Sequence, residues 1–321
     1  MPRKIPVTLI SGFLGAGKTT LLNRLLTHTA TTHKVGIVVN EFGEVGIDGR
    51  LIVAAENPLI EISNGCICCT VRKDLSQAVL ELLRSEPSLE RIFIETSGLA
   101  DAAPVLQTFL AEPELLGRVA LENVVTVVDS AHVTLHRDDP LVREQIAFAD
   151  VVVLNKTELL DLPRLREVQR LIETINPASL ILPTSNADVD PRDLLGVRRF
   201  SVFNALLVDP TLLNGLEHPH EHDSSIRSNC LSAQEPLVPD RFNRWIQQLV
   251  RRPGQDVLRM KGVLQLRGEP RQFYFHGVRM LVQATPGRRW QEDEARSSQL
   301  VCIGRGLDAA ALHQEFQSCQ Q

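Results

Sequence analysis

The sequence has few aromatic side chains and no strong excess of charge. Phe, Trp and Tyr make up 4% of the 321 residues, with two Trp and one Tyr, and the formal net charge is −5. Base stacking on aromatic side chains and broad basic surfaces are the features on which nucleic-acid binding depends. We therefore expect no nucleic-acid partner.

Long apolar runs are also missing. No stretch reaches the roughly 18 apolar residues of a membrane-spanning helix, so we expect no membrane partner. The apolar run that follows Arg3 and Lys4 is short, reaches Gly12 and has no small-residue cleavage site after it, which is not the pattern of a secretory signal peptide. These features predict a cytoplasmic protein.

Cysteine is sparse but clustered. Three of the six cysteines stand together in Cys66-Ile67-Cys68-Cys69. This is not the spread framework of a secreted disulfide scaffold, and such clusters more often bind metal or carry out redox chemistry. Cys230, Cys302 and Cys319 are isolated, and we interpret them as structural or incidental.

The chain is long enough for two domains of about 150 residues each. Alternating β-branched runs and helical patterns predict an α/β domain over residues 1–195, with a doubly wound, mostly parallel sheet. The sequence predicts a linker over residues 196–225 and a smaller α+β domain over residues 226–321. The strands predicted for the first domain are 5–11, 34–40, 91–96, 124–129, 151–155 and 179–183, with helices at 18–28, 73–84 and 163–175. For the second domain the predictions are strands at 257–267, 272–283 and 299–304 and helices at 241–251 and 308–317.

A phosphate-binding loop is the strongest motif. Residues 12–19 read GFLGAGKT and match GxxxxGK[ST] between a predicted strand and a predicted helix. The glycines let successive backbone N–H groups surround phosphate oxygens at the positive end of the helix. Lys18 is expected to reach the β- and γ-phosphates, and Thr19 to ligate Mg²⁺. The predicted nucleotide-binding residues of this loop are Gly12, Gly15, Ala16, Gly17, Lys18, Thr19 and Thr20.

Two further strand ends carry candidate nucleotide residues. Asn155-Lys156-Thr157-Glu158 stands where GTPases place NKxD, whose acid accepts hydrogen bonds from guanine N1–H and N2–H₂. Glu158 is one methylene longer than aspartate, so GTP is favoured and ATP stays an alternative. Glu95 ends the strand 91–96 and is predicted to hold Mg²⁺ or to position water. Lys18 and Glu95 are therefore the predicted catalytic residues of a hydrolase.

The cysteine cluster predicts a metal site. The thiolates of Cys66, Cys68 and Cys69 are soft ligands suited to Zn²⁺ and other late first-row metals, including Cu(I). The loop predicted at 41–72 lies between a strand and its crossover helix, which places it at the carboxyl edge of the sheet, beside the nucleotide. A buried or disulfide-prone trio and a redox pair are the alternatives. The alternating histidines favour a second, weaker metal-binding segment or, alternatively, a solvated linker. They are His218, His220 and His222.

Several motifs together resemble one family, the CobW/YjiA-type GTPases, which are metallochaperones related to UreG and HypB. The resemblance covers nearly the whole chain, and the CxCC segment is specific to this group. The matching motifs are GFLGAGKTT at 12–20, NEFGEVGID at 40–48, SNGCICCTVR at 63–72, IETSGLADAAPV at 94–105, LNKTELL at 154–160, RMKGVL at 259–264, FHGV at 275–278 and LVCIGRGLD at 300–308.

The resemblance implies a function. The three cysteines would fill the family's metal-binding CxCC positions, and Lys18, Thr19, Glu95, Asn155, Lys156 and Glu158 its nucleotide positions. A GTP-hydrolysing metallochaperone is then expected, with GTP and Mg²⁺ as cofactors, carrying Zn²⁺ or Co²⁺ to a client metalloprotein. The chain could also form a homodimer, a question that the sequence leaves open. The alternatives are a metal buffer or sensor with regulatory nucleotide binding, and an ATP-dependent kinase acting on a small substrate.

Overall fold

The computed structural model describes residues 4–29, 34–41, 59–63, 70–196, 226–252, 256–279, 281–291 and 294–320. Its contacts divide into two compact units. One contains residues 1–171 and 179–200, and the other contains residues 172–178 and 201–321. The predicted boundaries at residues 195 and 225 stay predictions.

The first unit is built on a seven-stranded sheet in which every neighbouring pair is parallel. In spatial order the strands are β3-β2-β4-β1-β5-β6-β7. Their bounds are β1 (Ile5–Ser11), β2 (Val35–Glu41), β3 (Leu59–Ser63), β4 (Arg91–Thr96), β5 (Val119–Asp129), β6 (Val151–Asn155) and β7 (Leu180–Pro183). The helices are α1 (Lys18–Thr29), α2 (Thr70–Ser85), α3 (Ala102–Ala111), α4 (Pro113–Leu116), α5 (Pro140–Ala147), α6 (Leu162–Ile175) and α7 (Pro191–Leu194), with 3-10 helices at Val133–His136 and Thr157–Leu159.

Continuous apolar runs explain why these segments form a parallel sheet. Strand β6 is buried along its whole length, and β1 is buried from Val7 to Ser11. A strand that is covered on both faces needs apolar side chains at every position and not in alternation. Leucines of α1, including Leu21 and Leu25, pack with strand residues in one buried cluster. The predicted α/β class is confirmed.

The strand order fixes the position of the site. Strand β1 lies between β4 and β5, and β5 is followed outward by β6. The carboxyl ends of these strands therefore meet at one edge, and this edge is where parallel α/β sheets bind ligands. The loops that leave this edge carry the predicted nucleotide residues.

The second unit contains a five-stranded antiparallel sheet in the order β11-β10-β9-β12-β8. Its core lies on one face of the sheet, where Met260 and Leu264 of β9 join Phe242, Trp245 and Phe316 of two helices. Trp245 is therefore a core residue, as predicted. The elements are β8 (Arg227–Ala233), α8 (Pro239–Leu249), β9 (Asp256–Gln265), β10 (Arg271–Val278), β11 (Leu281–Arg289), β12 (Ser298–Arg305) and α9 (Ala309–Ser318).

Some predicted elements were wrong. Residues 41–72 were predicted as a loop, but they contain β3, which pairs in parallel with β2, and α2 begins at Thr70 and not at residue 73. The strand predicted at 272–283 is the hairpin β10–β11, with Arg279 near the turn at φ +52°. Helices α3 and α5 and strand β8 were not predicted.

Among the helices that the structure describes, none has both the length and the apolar character needed to cross a bilayer.

Candidate nucleotide site

The loop between β1 and α1 depends on glycine at defined positions. Gly12 has φ +135°, and a Cβ there would overlap the carbonyl oxygen of Val127 on the neighbouring strand β5. Gly17 has φ +106°, and its Cβ would lie 2.6 Å from the amide nitrogen of Asn155. Residues other than glycine rarely adopt such backbone conformations. The loop thus folds tightly against β5 and β6 and leads directly into the N-terminus of α1, an arrangement suited to binding phosphate.

Lys18 and Thr19 begin α1 and point to two different partners. The largely buried Lys18 donates from Nζ to the carbonyl oxygen of Phe13, at 3.2 Å. Thr19 donates from Oγ1 to Oε1 of Glu95, at 2.8 Å. Glu95 is buried near the end of β4, opposite Ile10 of β1. The pairing of β1 with β4 thus brings together two oxygen-bearing side chains that are 76 residues apart.

The turn after β4 packs directly on the phosphate loop. A Cβ on Gly98 would lie 2.7 Å from the backbone nitrogen of Leu14, so no larger residue fits without movement. The buried side chain of Gln145, on α5, donates to the carbonyl oxygens of Gly98 and Ala100 at 3.1 and 3.2 Å. Sequence reasoning missed Gln145, because an isolated glutamine in a helix carries no spacing signal.

Asn155 connects the phosphate loop to the loop after β7. Its amide nitrogen donates to the carbonyl oxygen of Ala16 at 2.9 Å, and its amide oxygen accepts from the backbone N–H of Ala187 at 2.7 Å. Asn155 is buried, and Asn186 and Ala187 both have positive φ. The residue predicted to bind the base therefore holds two loops of the site. The loop that contains Ala187 was not predicted.

Lys156 is held in an unusual conformation by a carboxylate. It is left-handed, with φ +62°, and its Nζ donates to Oδ2 of Asp129 at 2.8 Å. Oδ2 also lies 2.9 Å from Nδ1 of His132, and Oδ1 accepts from the N–H of Ala131 at 2.9 Å. Partial burial raises the pKa of Asp129, but the hydrogen bonds from Lys156 and His132 outweigh it, so the pKa lies below its usual value. Asp129 is thus a carboxylate at neutral pH.

Glu158 lies on the 3-10 turn that follows, and it is exposed. Both the backbone N–H and the hydroxyl of Thr157 donate to the carbonyl oxygen of Thr184, at 3.1 and 3.0 Å. The turn that carries Glu158 is therefore anchored on one side by Asp129 and on the other by Thr184.

Comparison with known proteins agrees with this geometry. A family model described as the CobW/HypB/UreG nucleotide-binding domain matches residues 6–183, and a model of the CobW C-terminal domain matches residues 226–320. This chain belongs to the CobW family.

Relatives of this CobW-family chain include two proteins named as zinc chaperones. CobW of Pseudomonas aeruginosa is 34% identical, and the match covers 98% of this chain and 91% of that protein. YjiA of Escherichia coli is 30% identical, with 97% and 98% covered. The crystal structure of the Zn(II)-bound YjiA GTPase from E. coli has a TM-score of 0.75 at 26% identity, covering 99% of this chain and all of that one.

A cavity of about 290 Å³ lies beside the phosphate loop of the CobW-family chain. Phe13, Leu14 and Gly15 line one side, and Asp129 and Lys156 are also part of the wall. The ring of Phe13 packs against that of His136, with centroids 4.8 Å apart. His136 thus contacts a residue of the phosphate-loop motif, and His132 contacts Asp129, which pairs with Lys156. Neither histidine has a motif spacing that could have identified it from the sequence.

The predicted cysteine and histidine ligands lie outside the described residues. Cys66, Cys68 and Cys69 fall between the end of β3 and the start of α2, and His218, His220 and His222 fall between α7 and β8. Within the part of the chain that the structure describes, no three His, Cys, Asp or Glu side chains are grouped to hold a metal ion. The metal site of this CobW-family chain therefore stays a prediction.

The remaining cysteines are poor candidates for metal ligands. Burial raises the pKa of Cys230 to about 12, and it also raises the pKa of the buried Cys302. Since the thiolate is the metal ligand and the nucleophile, these thiols should be unreactive. We expect iodoacetamide at pH 8 to leave both unmodified in the native protein and to modify both in guanidinium chloride, as followed by peptide mass spectrometry. Rapid native modification of Cys302 would contradict the assignment.

Proposed function

We propose that this CobW-family chain is a GTP-hydrolysing metallochaperone that binds Zn²⁺ through Cys66, Cys68 and Cys69 and passes it to a client metalloprotein. The observation that carries the proposal is the contact of Thr19 with the buried Glu95, beside Lys18 and at the end of the phosphate loop. A hydroxyl and a carboxylate at this position form the Mg²⁺-binding pair of P-loop hydrolases.

The residues of the loop would bind and orient the triphosphate. Backbone N–H groups of Gly12–Gly17 and the N-terminus of α1 would surround its oxygens. Lys18, which now donates to Phe13, would turn to the β- and γ-phosphates. Oxygen ligands suit Mg²⁺, and Thr19 and Glu95 fit this ion, which when bound would neutralise charge on the phosphates. Glu95 would hold this ion or position the attacking water.

Guanine preference is supported by the turn after β6. The exposed carboxylate of Glu158 is free of an ion pair in the described residues, and its turn is fixed at both ends. A carboxylate accepts from both N1–H and N2–H₂ of guanine, whereas adenine presents no such pair of donors. The match to a protein named YjiA GTPase supports the same base.

Zinc as the cargo is supported by the ligand chemistry and by the relatives. Three thiolates suit Zn²⁺, and the relatives named as zinc chaperones span nearly the whole chain. The segment with the cysteines joins β3 to α2, and β3 pairs with β2, which pairs with β4. Strand β3 thus ends at the same edge of the sheet as Glu95, and cysteines that follow this strand in sequence support coupling between nucleotide and metal.

The coupling is measurable. With GTP analogue in place of GDP, we expect the Zn²⁺ affinity to change by about 5–150-fold, which corresponds to a coupling of about 1–3 kcal/mol. Competition with a chromophoric chelator measures this affinity. Cys66→Ala and Cys68→Ala should lose tight Zn²⁺ binding and keep GTP binding, with Cys230→Ser as the matched control that keeps both.

The outcomes separate the alternatives. Equal Zn²⁺ affinities in the two nucleotide states would refute the coupling, and coupling without single-turnover hydrolysis would indicate a metal buffer or sensor. Loss of GTP binding in the cysteine variants would mean that these thiols maintain the fold. Repeating the titration with Co²⁺ tests the other metal that the sequence predicts.

A further inference from the structure

Asp129 is the last residue of β5, and it stands in register with Asn155 of β6. The pairing of these two strands places its carboxylate next to the turn that begins at Lys156. Its side chain is 13% exposed, and it makes its contacts with protein groups on both sides. On its own strand end it accepts from the N–H of Ala131, and across the sheet edge it pairs with Lys156.

Lys156 needs such a partner because of its backbone. A non-glycine residue at φ +62° is strained, and the surrounding structure must hold it there. The ion pair with Asp129, at 2.8 Å and partly buried, supplies this restraint. His132 adds to it, since its Nδ1 lies 2.9 Å from the same oxygen and fixes the orientation of the carboxylate.

The position of Lys156 in turn controls the next residues. Thr157 is bonded to Thr184 through its N–H and its hydroxyl. Among the described contacts, Thr184 holds one end of the turn and Asp129 holds the other. If the ion pair is lost, Lys156 can relax toward ordinary φ values, and the carboxylate of Glu158 changes direction. The phosphate loop would be affected much less, because it is anchored separately by Asn155.

We infer that Asp129 is a positioning residue for base selectivity: it holds Lys156 in the left-handed conformation and so aims Glu158 at guanine without touching the nucleotide. The inference rests on the guanine site of the proposed function. It assigns the selectivity of this chain to a carboxylate outside the Asn-Lys-x-Glu motif, on the neighbouring strand.

The test compares the Kd values of GTP and ATP in wild type, two single variants, their double variant and a matched control, using fluorescent-nucleotide competition. Asp129→Asn keeps the shape and the acceptor for Ala131 but removes the charge, and Lys156→Met keeps the stem but removes the ammonium. We expect each to raise the Kd of GTP about tenfold and that of ATP less than threefold. The Kd of GTP in the double variant should not exceed the larger of the two single-variant values, because both changes remove the same interaction. Asp138→Asn is the matched control, since Asp138 forms only a surface ion pair with Arg137 in the described structure.

A merely structural role gives a different pattern. It would lower the thermal unfolding midpoint and weaken GTP and ATP equally, and that result overturns the inference. An Asp129→Asn protein with the wild-type GTP preference also overturns it. Should Asp129→Asn fail to fold, His132→Ala replaces it, because it removes a contact that orients the same carboxylate and leaves Lys156, a predicted nucleotide residue, in place. It should lower the preference for GTP over ATP, and an unchanged preference overturns the inference. If the wild-type protein shows no preference for GTP over ATP, the guanine part of the proposed function is wrong, and the inference is wrong with it. If the wild type prefers GTP and the variants keep that preference, only the inference is wrong.

Discussion

Replacing Gly12 with alanine should strongly weaken nucleotide binding. Gly12 has φ +135°, and an added Cβ would overlap the carbonyl oxygen of Val127. This carbonyl belongs to the sheet, so moving it would disturb the pairing of the strands. The loop must shift instead, and its N–H groups then miss the phosphate oxygens. A misplacement of about 1 Å can cost about 100-fold in reaction rate, and we expect a rise of similar size, about 100-fold, in the Kd for GTP. Isothermal titration calorimetry in the presence of Mg²⁺ measures it.

Gly117→Ala is the matched control for this change. Gly117 has an ordinary φ of −77°, and a Cβ there meets no heavy atom within 4 Å. We expect unchanged GTP binding and a change in unfolding free energy within about 0.5 kcal/mol. Wild-type affinity in Gly12→Ala would show that phosphate is bound elsewhere.

The second large effect is expected for Glu95→Gln. The amide keeps the size of the side chain and an oxygen that can accept from Thr19, but it removes the negative charge of a buried group that lies 2.8 Å from the Thr19 hydroxyl. Mg²⁺ would then lose one anionic anchor, and with it the charge stabilisation of the transition state. Removing one such group typically costs about 10²–10³ in rate. Single-turnover hydrolysis over a range of Mg²⁺ concentrations should show a loss of this order.

Nucleotide binding separates this role from a structural one. Without Mg²⁺, Glu95→Gln should bind GDP as the wild type does. Glu81→Gln, an exposed position on α2, serves as the control and should hydrolyse GTP at the wild-type rate. Full hydrolysis by Glu95→Gln at saturating Mg²⁺ would remove Glu95 from the catalytic site.

The sequence predicted the parts of the fold that depend on strong local patterns. Continuous Val and Ile runs identified β1, β4 and β6, and the glycine spacing of residues 12–17 identified the phosphate loop. Strand β3 was missed because five residues, LIEIS, do not establish a period. The β10–β11 hairpin was merged because Arg279, at φ +52°, occupies a turn position that usually holds glycine or asparagine.

The candidate site divides in the same way. Lys18, Thr19 and Glu95 stand in motifs or at strand ends, so their meeting could be expected from topology. Asp129 contacts Lys156 through the pairing of β5 with β6, and Gln145 reaches the turn after β4 through the packing of α5. His132 acts through its local contact with Asp129. A single acid or glutamine has no spacing that distinguishes it from a surface residue, and this is why the supporting residues escaped the prediction.

The placement of β1 between β4 and β5 has a consequence for synthesis on the ribosome. Residues Gly12–Gly17 emerge early, but their neighbours Val127 and Asn155 belong to strands that are made much later. A nascent chain that ends before β6 lacks Asn155, whose side-chain amide joins Ala16 of the phosphate loop to Ala187. Its phosphate loop therefore lacks one of its supporting contacts. A ligand stabilises only the state that binds it. Nucleotide can therefore stabilise the first unit only after β6 and the loop at Ala187 have been made.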